Sequence, residues 1–252
     1  MKRGKRSPEW FEDDAFWRAT YPFMFSEKRF LETPHQVDRI LALTSPRGKS
    51  VLDLCCGPGR CSIALAKQGF SVCGVDRTTY LLEKARKRAK SERVSVEWIQ
   101  ADMRNFVRPN RYDLALNVFT SFGYFSDRRQ DVAVLENVFK SLRRGGVFFM
   151  DMMGKEVLAR TFQPASADSL PDGAMIVEQR EIVDDWRRIR TTWTIIRNGA
   201  ARQYSFSLNL YSGQELRESL EHVGFVEVKL YGSLDGDPYG VAARRLIAVA
   251  RK

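Results

Sequence analysis

The sequence predicts an α/β fold: a Rossmann-like, mostly parallel seven-stranded sheet with helices on both faces, plus an inserted antiparallel β lid. Two observations carry this. From Ser50 to Asp151 short apolar runs alternate with helical segments at a steady interval, the signature of a parallel sheet covered on both faces. After Met152 the rhythm becomes period-two alternation broken by short turns, the signature of an antiparallel meander.

The elements follow in chain order. The first 40 residues are dense in aromatics, Trp10, Phe11, Phe16, Trp17, Tyr21, Phe23, Phe25 and Phe30, and predict a helical cap packed onto the sheet domain. Ser50–Cys55 reads as the first strand, ending in a turn with Gly57 and Gly59, with a helix over Ser62–Gln68. Ser71–Asp76 is the second strand, Leu81–Ala89 a helix rich in lysine and arginine, and Val94–Ile99 the third strand. Tyr112–Val118 and Val147–Asp151 are the fourth and fifth, with a helix over Asp131–Leu142 between them. The polar stretch with Pro164, Ser166, Ser169 and Pro171 reads as a connection, and Met175–Val183, Arg188–Ile196 and Gln203–Leu210 as three meander strands. A helix over Gly213–His222, stopped by Gly224, leads into strands at Phe225–Leu230 and Leu246–Ala250. The organisation is therefore a helical cap (residues 1–45), an α/β core (46–154), an antiparallel β insertion placed as a lid (155–211) and the closing helix with the last two strands (212–252).

Composition narrows the function. With 252 residues, 44% hydrophobic and 29% charged, the chain is long enough for a sizeable core and is neither fibrous nor disordered. Forty-one basic against 31 acidic residues leave a formal charge of +10, compatible with anionic partners. Cys55, Cys56, Cys61 and Cys73 crowd one short stretch, which suits buried apolar thiols in a reducing cytoplasm better than a disulfide framework. With only His35 and His222 beside them, no paired zinc spacing exists, and no metal is expected. Met1–Arg6 is basic but is not followed by an apolar run, and no segment approaches the length that crosses a bilayer. A cytoplasmic location, without a membrane partner, is the expectation.

In an open parallel sheet, ligands bind beyond the carboxyl ends of the strands, where strand order reverses. Gly57 and Gly59 let the backbone turn tightly there and approach a ligand, with a helix N-terminus beyond. Asp76, at the end of the second strand, has the place of an acid that accepts hydrogen bonds from both hydroxyls of a nucleoside ribose, and Arg77 stands where it can stack on the base. Two adenosine cofactors fit this pattern, NAD and S-adenosylmethionine. The third small position of the turn is Ser62 rather than glycine or alanine, and Asp53 just before the turn suits a cationic amino-acid moiety better than a pyrophosphate. Both features favour S-adenosylmethionine.

The run VLDLCCGPGRCSIALAKQGFSVCGVD resembles motifs I and II of class I S-adenosylmethionine-dependent methyltransferases. Gln100–Met103, YDLALNVFTSFGYF and LRRGGVFFMDM extend the resemblance across residues 50–152, and the closing strands share it more loosely. It implies that Asp53, Gly57 and Gly59 surround the methionine part of the cofactor and that Asp76 holds the ribose. It implies further that Asp102 accepts from the adenine amino group, that Met103 packs on the ring, and that Asn117 and Phe119 lie near the methionine amino group. By the same resemblance the N-terminal segment closes over the cofactor, with Tyr21 or Arg29 as the contact, and Tyr231–Tyr239 matches a turn-rich stretch of some small-molecule methyltransferases.

The expected reaction is methyl transfer to an N or O atom of a small-molecule acceptor, giving S-adenosylhomocysteine. Such displacement rests on positioning and water exclusion, and His35, Tyr124 and Tyr211 are the candidates for an assisting catalytic group. Aromatics of the insertion, Trp186, Trp193, Tyr204, Phe206 and Tyr211, either wall the acceptor pocket or form the meander's own core. Three alternatives stand: a tRNA or protein methyltransferase, a non-enzymatic nucleic-acid-binding module and an NAD-dependent oxidoreductase. Asn117–Thr120 departs from the N-P-P-Y pattern of base-amine methyltransferases, and the run Lys84, Arg86, Lys87, Arg88, Lys90 has no base-stacking motif beside it, so nucleic acid is the weaker partner. An anionic small molecule fits the charge, and the chain is expected as a monomer or homodimer.

Overall fold

A computed structural model describes residues 9–170 and 172–252. The basic start Met1–Arg6 and Pro171 lie outside the described residues. Strands β1 (Ser50–Leu54), β2 (Ser71–Asp76), β3 (Glu97–Gln100), β4 (Tyr112–Asn117), β5 (Leu142–Met152), β10 (Val226–Tyr231) and β11 (Leu246–Arg251) form one sheet in the order β10-β11-β5-β4-β1-β2-β3. All neighbours are parallel except that β11 runs against both β5 and β10. This is the Rossmann-like, mostly parallel sheet that the alternation predicts. From β1 the chain winds outward through β2 and β3, then returns to β4 on the other side of β1. The crevice beyond β1 and β4 is thus the topological switch point where such folds bind ligands.

β1 sits at the centre because VLDL is buried on both faces: Val51, Leu52 and Leu54 are almost wholly enclosed, and so is Asp53. Helices α3 (Arg60–Lys67), α4 (Thr79–Ser91), α5 (Arg128–Ser141) and α7 (Gly213–Val223) connect the strands. Ser212 and Glu215 form a reciprocal capping box at the start of α7, and Gly224 ends that helix in the left-handed region, as its place in the sequence predicts.

The cap is a 3₁₀ turn (Trp10–Glu12) followed by α1 (Asp14–Met24) and α2 (Glu27–Thr44). Phe11, Phe16 and Trp17 are buried, and the Trp17 indole donates to the Phe11 carbonyl at 3.0 Å, fixing the turn on the helix. The lysine- and arginine-rich α4 holds this cap. Arg88 lies 3.7 Å from the Phe30 ring centroid and pairs with Glu27, while Lys84 stands over Tyr21 and Tyr80. Part of the basic run therefore serves cation–π contacts between cap and core.

The insertion differs from the expectation in one respect. It is a four-stranded antiparallel sheet, β6 (Ala165–Ser169), β7 (Met175–Val183), β8 (Arg188–Arg197) and β9 (Ala200–Asn209), entered through α6 (Lys155–Thr161). The stretch read as a connection is the edge strand β6, paired with β7 from Ala165↔Gln179 to Ser169↔Met175. ASADS carries no apolar alternation, because an edge strand with an exposed face does not need one. One face of this sheet lies on the cap: Phe16 stacks on Trp193 at 5.8 Å, and Trp10 packs on Phe206 at 5.0 Å.

The insertion is anchored to the core by a buried acid. Asp131, in the first turn of α5, accepts from Asn209 Nδ2 and the Tyr211 hydroxyl, each at 2.7 Å, both through Oδ2. Its Oδ1 is buried without a partner, and burial pushes the carboxyl up to about 6 despite the two donors. A carboxyl raised from its ordinary value binds more protons in the folded state, so its ionisation costs stability as pH rises from about 4 to about 6. The stability of the wild type relative to Asp131→Asn, measured by urea unfolding, is expected to fall by about 2–3 kcal/mol between pH 4 and pH 7. A constant difference across that range would contradict this account of the anchor.

Candidate functional site

The main cleft opens at the switch point and holds about 1010 Å³ of empty space, solvent at its mouth included. Its floor is the loop from β1 to α3. Cys55, Gly57 and Gly59 all have positive φ (61°, 55° and 81°), so the chain turns under the ends of β1 and β2. At Gly59 a Cβ would lie 2.5 Å from the Trp98 ring, so only glycine permits both the turn and the packing beneath it. Cys55 takes a left-handed conformation without being glycine, and its sulfur lies 3.3 Å from that of Met103. Burial pushes the thiols of all four cysteines up, which keeps them protonated and inert.

Asp76 joins the floor to the next loop. It is 8% exposed, and its two oxygens accept from the backbone N–H groups of Gly57 and Thr78, each at 2.8 Å. Asp53 is buried behind the turn. Its Oδ2 accepts from the Ser62 hydroxyl at 2.5 Å, while Oδ1 has no partner. Burial pushes this carboxyl up to about 6, although the Ser62 hydrogen bonds and the Arg60 charge oppose the rise. Asn117, at the end of β4, spends its amide N–H groups on the carbonyls of Leu54 and Ser121, and its Oδ1 is likewise buried and unpartnered. Two acceptor oxygens without donors beside one crevice suit a cationic, N–H-rich ligand group.

Asp102 is held differently. Arg104 grips it with Nε–H and a terminal N–H at 2.9 and 2.6 Å, and Arg77 stands 3.5 Å from Oδ2. Burial alone would raise this carboxyl, but the Arg104 hydrogen bonds and charge outweigh it and leave the group below the usual carboxylate range. Arg77 also pairs with Glu12 of the cap at 2.8 Å, so the cap is latched to the rim. Apolar walls come from Val75, Leu81, Ala101, Met103 and Phe125, with Phe11, Trp17 and Phe25 of the cap opposite.

Of the residues singled out in the sequence, Arg29, Asp53, Gly57, Asp76, Arg77, Asp102, Met103, Phe119 and Tyr124 line this cleft. Gly59 and Asn117 are not on the lining, although Asn117 donates to the carbonyls of Leu54 and Ser121, which are. Tyr21 does not reach the cleft; its ring packs on Tyr80 at 5.8 Å and on Phe25 at 5.4 Å. His35 is exposed on α2, and the Tyr211 hydroxyl is committed to Asp131 outside the cleft, so neither is placed to assist a reaction there. Tyr124 lines the cleft, and burial raises its phenol, which stays protonated at neutral pH. The aromatics of the insertion form packing rather than cleft wall: Trp193, Tyr204 and Phe206 lie against the cap, and Trp186 is 40% exposed. Tyr239, in the turn-rich stretch, donates to Glu156 at 2.7 Å and braces α6.

Sequence reasoning missed the device that shapes the β4 loop. Phe119 and Thr120 both have left-handed φ (59° and 62°). The Asp151 side chain accepts from the Phe119 N–H at 3.1 Å, its carbonyl accepts from the Thr120 N–H at 2.9 Å, and Arg245 bridges Asp151 (2.6 Å) and Thr120 Oγ1 (2.9 Å). This clamp presents the Phe119 ring to the cleft and to the Arg60 guanidinium, 4.0 Å from the ring centroid. Ninety-odd residues separate Arg245 from Asp151, so no local pattern announces the pair.

Residues 51–146 match the Methyltransferase domain family. The chain is similar to a Geobacillus sp. (strain WCH70) protein that carries a methyltransferase name, 25% identical over 156 residues, spanning 62% of each chain. It is also similar to the glycine/sarcosine N-methyltransferase of Aphanothece halophytica, 26% identical over 207 residues, covering 77% of this chain and 72% of that one. In structure it resembles an S-adenosylmethionine-dependent methyltransferase from Clostridium acetobutylicum, with a TM-score of 0.77 at 14% identity over 94% of this chain and 98% of the other.

If Arg245 holds the strained turn, its loss and the relief of strain are coupled. Arg245→Met is expected to cost about 2 kcal/mol in urea unfolding, since it leaves Asp151 without its cation. In that background Thr120→Gly, which removes a left-handed penalty of about 1 kcal/mol, is expected to be less harmful than in the wild type. Strictly additive losses in the double-mutant cycle would show that the pair does not hold the turn.

Proposed function

We infer that this chain, a class I S-adenosylmethionine-dependent methyltransferase with an antiparallel lid inserted in its sheet domain, methylates an N or O atom of a small-molecule acceptor bound in the main cleft. The observation that carries the reading is the charge arrangement at the switch point: a buried Asp53 with one unpartnered oxygen behind the glycine turn, and Asp76 fixed at the end of the next strand. A pyrophosphate would meet Asp53 at a cost, whereas the ammonium of an amino-acid tail would satisfy it. The relative's name assigns an amine acceptor to that protein, and a small amine or hydroxyl acceptor suits a cleft that the cap closes with aromatic side chains.

Each residue has a task that its environment allows. Two backbone donors orient Asp76 and leave it lone pairs for ribose hydroxyls. Val75, Leu81 and Met103 offer apolar surface to the adenine, with Asp102 at its edge. Asp53 would hold the tail's ammonium, and Arg29, exposed on the same lining, its carboxylate. When bound, S-adenosylmethionine supplies a methyl group on a sulfonium that leaves as a neutral thioether. Phe11, Trp17 and Phe25 keep water from the cleft, which strengthens the electrostatics inside it. No histidine lines this cleft among the described residues, so an amine acceptor arrives neutral and is oriented by the protonated Tyr124 hydroxyl.

Titration calorimetry tests this reading. S-adenosylhomocysteine is expected to bind and NAD not to bind, and Asp76→Ala to weaken the former at least tenfold; an unaltered affinity in a folded variant would refute the placement. Because Asp53 ionises near 6 in the free protein and its anion attracts the ammonium, affinity is expected to rise between pH 5 and pH 7.5. In Asp53→Asn that rise should flatten.

A further inference from the structure

Three arginines line the main cleft, and they differ in how their charge is met. Arg77 is paired with Glu12 and Asp102. Arg29 and Arg60 form no ion pair with any carboxylate among the described residues. Building on the methyltransferase reading, we propose that Arg60 anchors an oxyanion, a carboxylate or phosphate, carried by the methyl acceptor, so that the substrate is a small acidic molecule.

Arg60 is 8% exposed, in the first turn of α3. A guanidinium has five N–H donors, and Arg60 spends one on the Arg29 carbonyl at a long 3.3 Å. The nearest cleft carboxylate, Asp53, does not pair with it and accepts from Ser62 instead. Asp53 and Glu32 act on this charge from a distance, but neither takes its N–H donors; an enclosed guanidinium with unmet donors is costly, and a ligand oxyanion would relieve that cost. The guanidinium is held in place: its carbon lies 4.0 Å over the Phe119 ring, itself clamped by Asp151 and Arg245, and a guanidinium so held suits a two-bond contact with an oxyanion.

Charge counting assigns that anion to the acceptor. The cofactor brings one carboxylate, which Arg29 at the mouth can meet, and its ammonium and sulfonium make it a net cation. The second guanidinium then still lacks an anion. It lies against Phe119, just beyond the carboxyl end of β4 at the switch point, deeper than Arg29.

The test uses the full chain, labelled S-adenosylmethionine and a metabolite extract split beforehand on an anion exchanger into acidic and non-acidic fractions. Label is expected to enter the acidic fraction. Arg60→Met is expected to lower that labelling at least tenfold while moving S-adenosylhomocysteine affinity less than about twofold, with Arg60→Lys intermediate. Label confined to the non-acidic fraction, or absent from both, overturns the proposal, and this arm needs only the wild type. So does a variant that loses S-adenosylhomocysteine tenfold but binds 5′-methylthioadenosine, which lacks the amino-acid tail, as the wild type does; the guanidinium would then belong to the cofactor. A wild type that binds no S-adenosylhomocysteine refutes the methyltransferase reading itself, a distinct result.

Discussion

The buried carboxylate of Asp76 is the constraint on which the crevice depends. By accepting from Gly57 on one loop and Thr78 on the next, it ties together the two turns that leave the sheet at its switch point. Backbone N–H groups at loop ends have no strand or helix partner, so an acid there satisfies donors that would otherwise be orphaned. The same bonds set the spacing between the glycine turn and the end of the second strand. The orientation of its oxygens is therefore fixed by the two loops themselves.

Around that crevice the molecule is built from three pieces that share their aromatic surfaces. The cap covers the cleft with Phe11, Trp17 and Phe25, and its outer face receives the insertion through Phe16, Trp193 and Phe206. The insertion therefore supports the cleft at one remove. Aromatic pairs at edge and tilted angles dominate this contact, and such pairs add about 0.5–1.5 kcal/mol each beyond the area that they bury. Lys84 and Arg88 on α4 close the other side of the cap by lying on Tyr21 and Phe30. A surface that composition alone would offer to phosphates is partly consumed inside the molecule.

The electrostatics of the cleft are divided along its length. At the rim, Asp102, Arg104, Arg77 and Glu12 neutralise one another. Deeper in, Asp53 presents an oxygen without a donor, and Arg60 presents donors with one long hydrogen bond. Unmet polar groups of opposite sense, buried within one crevice, amount to a complementary image of a ligand with both cationic and anionic parts.

The sequence by itself determined the strands of the sheet and the glycine turn at which the crevice opens, because strand and helix periods and glycine turns are local properties; the order in which the strands lie was decided by the tertiary structure. VLDLCCGPG, the acid at Asp76 and the alternation through Asp151 are legible for that reason, as are the meander strands β7, β8 and β9. It also placed nine of its candidate residues on the cleft lining. It could not show the edge strand Ala165–Ser169, whose exposed residues need no pattern, nor that Tyr211 is spent on Asp131 and His35 faces outward. Only the tertiary structure decided the clamp of Asp151 and Arg245 on Phe119, the grip of Arg104 on Asp102 and the isolation of Arg60. Except for the grip of Arg104, these are pairings, or failures to pair, between side chains far apart in sequence. The free energy of a buried charge depends on what the fold brings beside it, which no local pattern records.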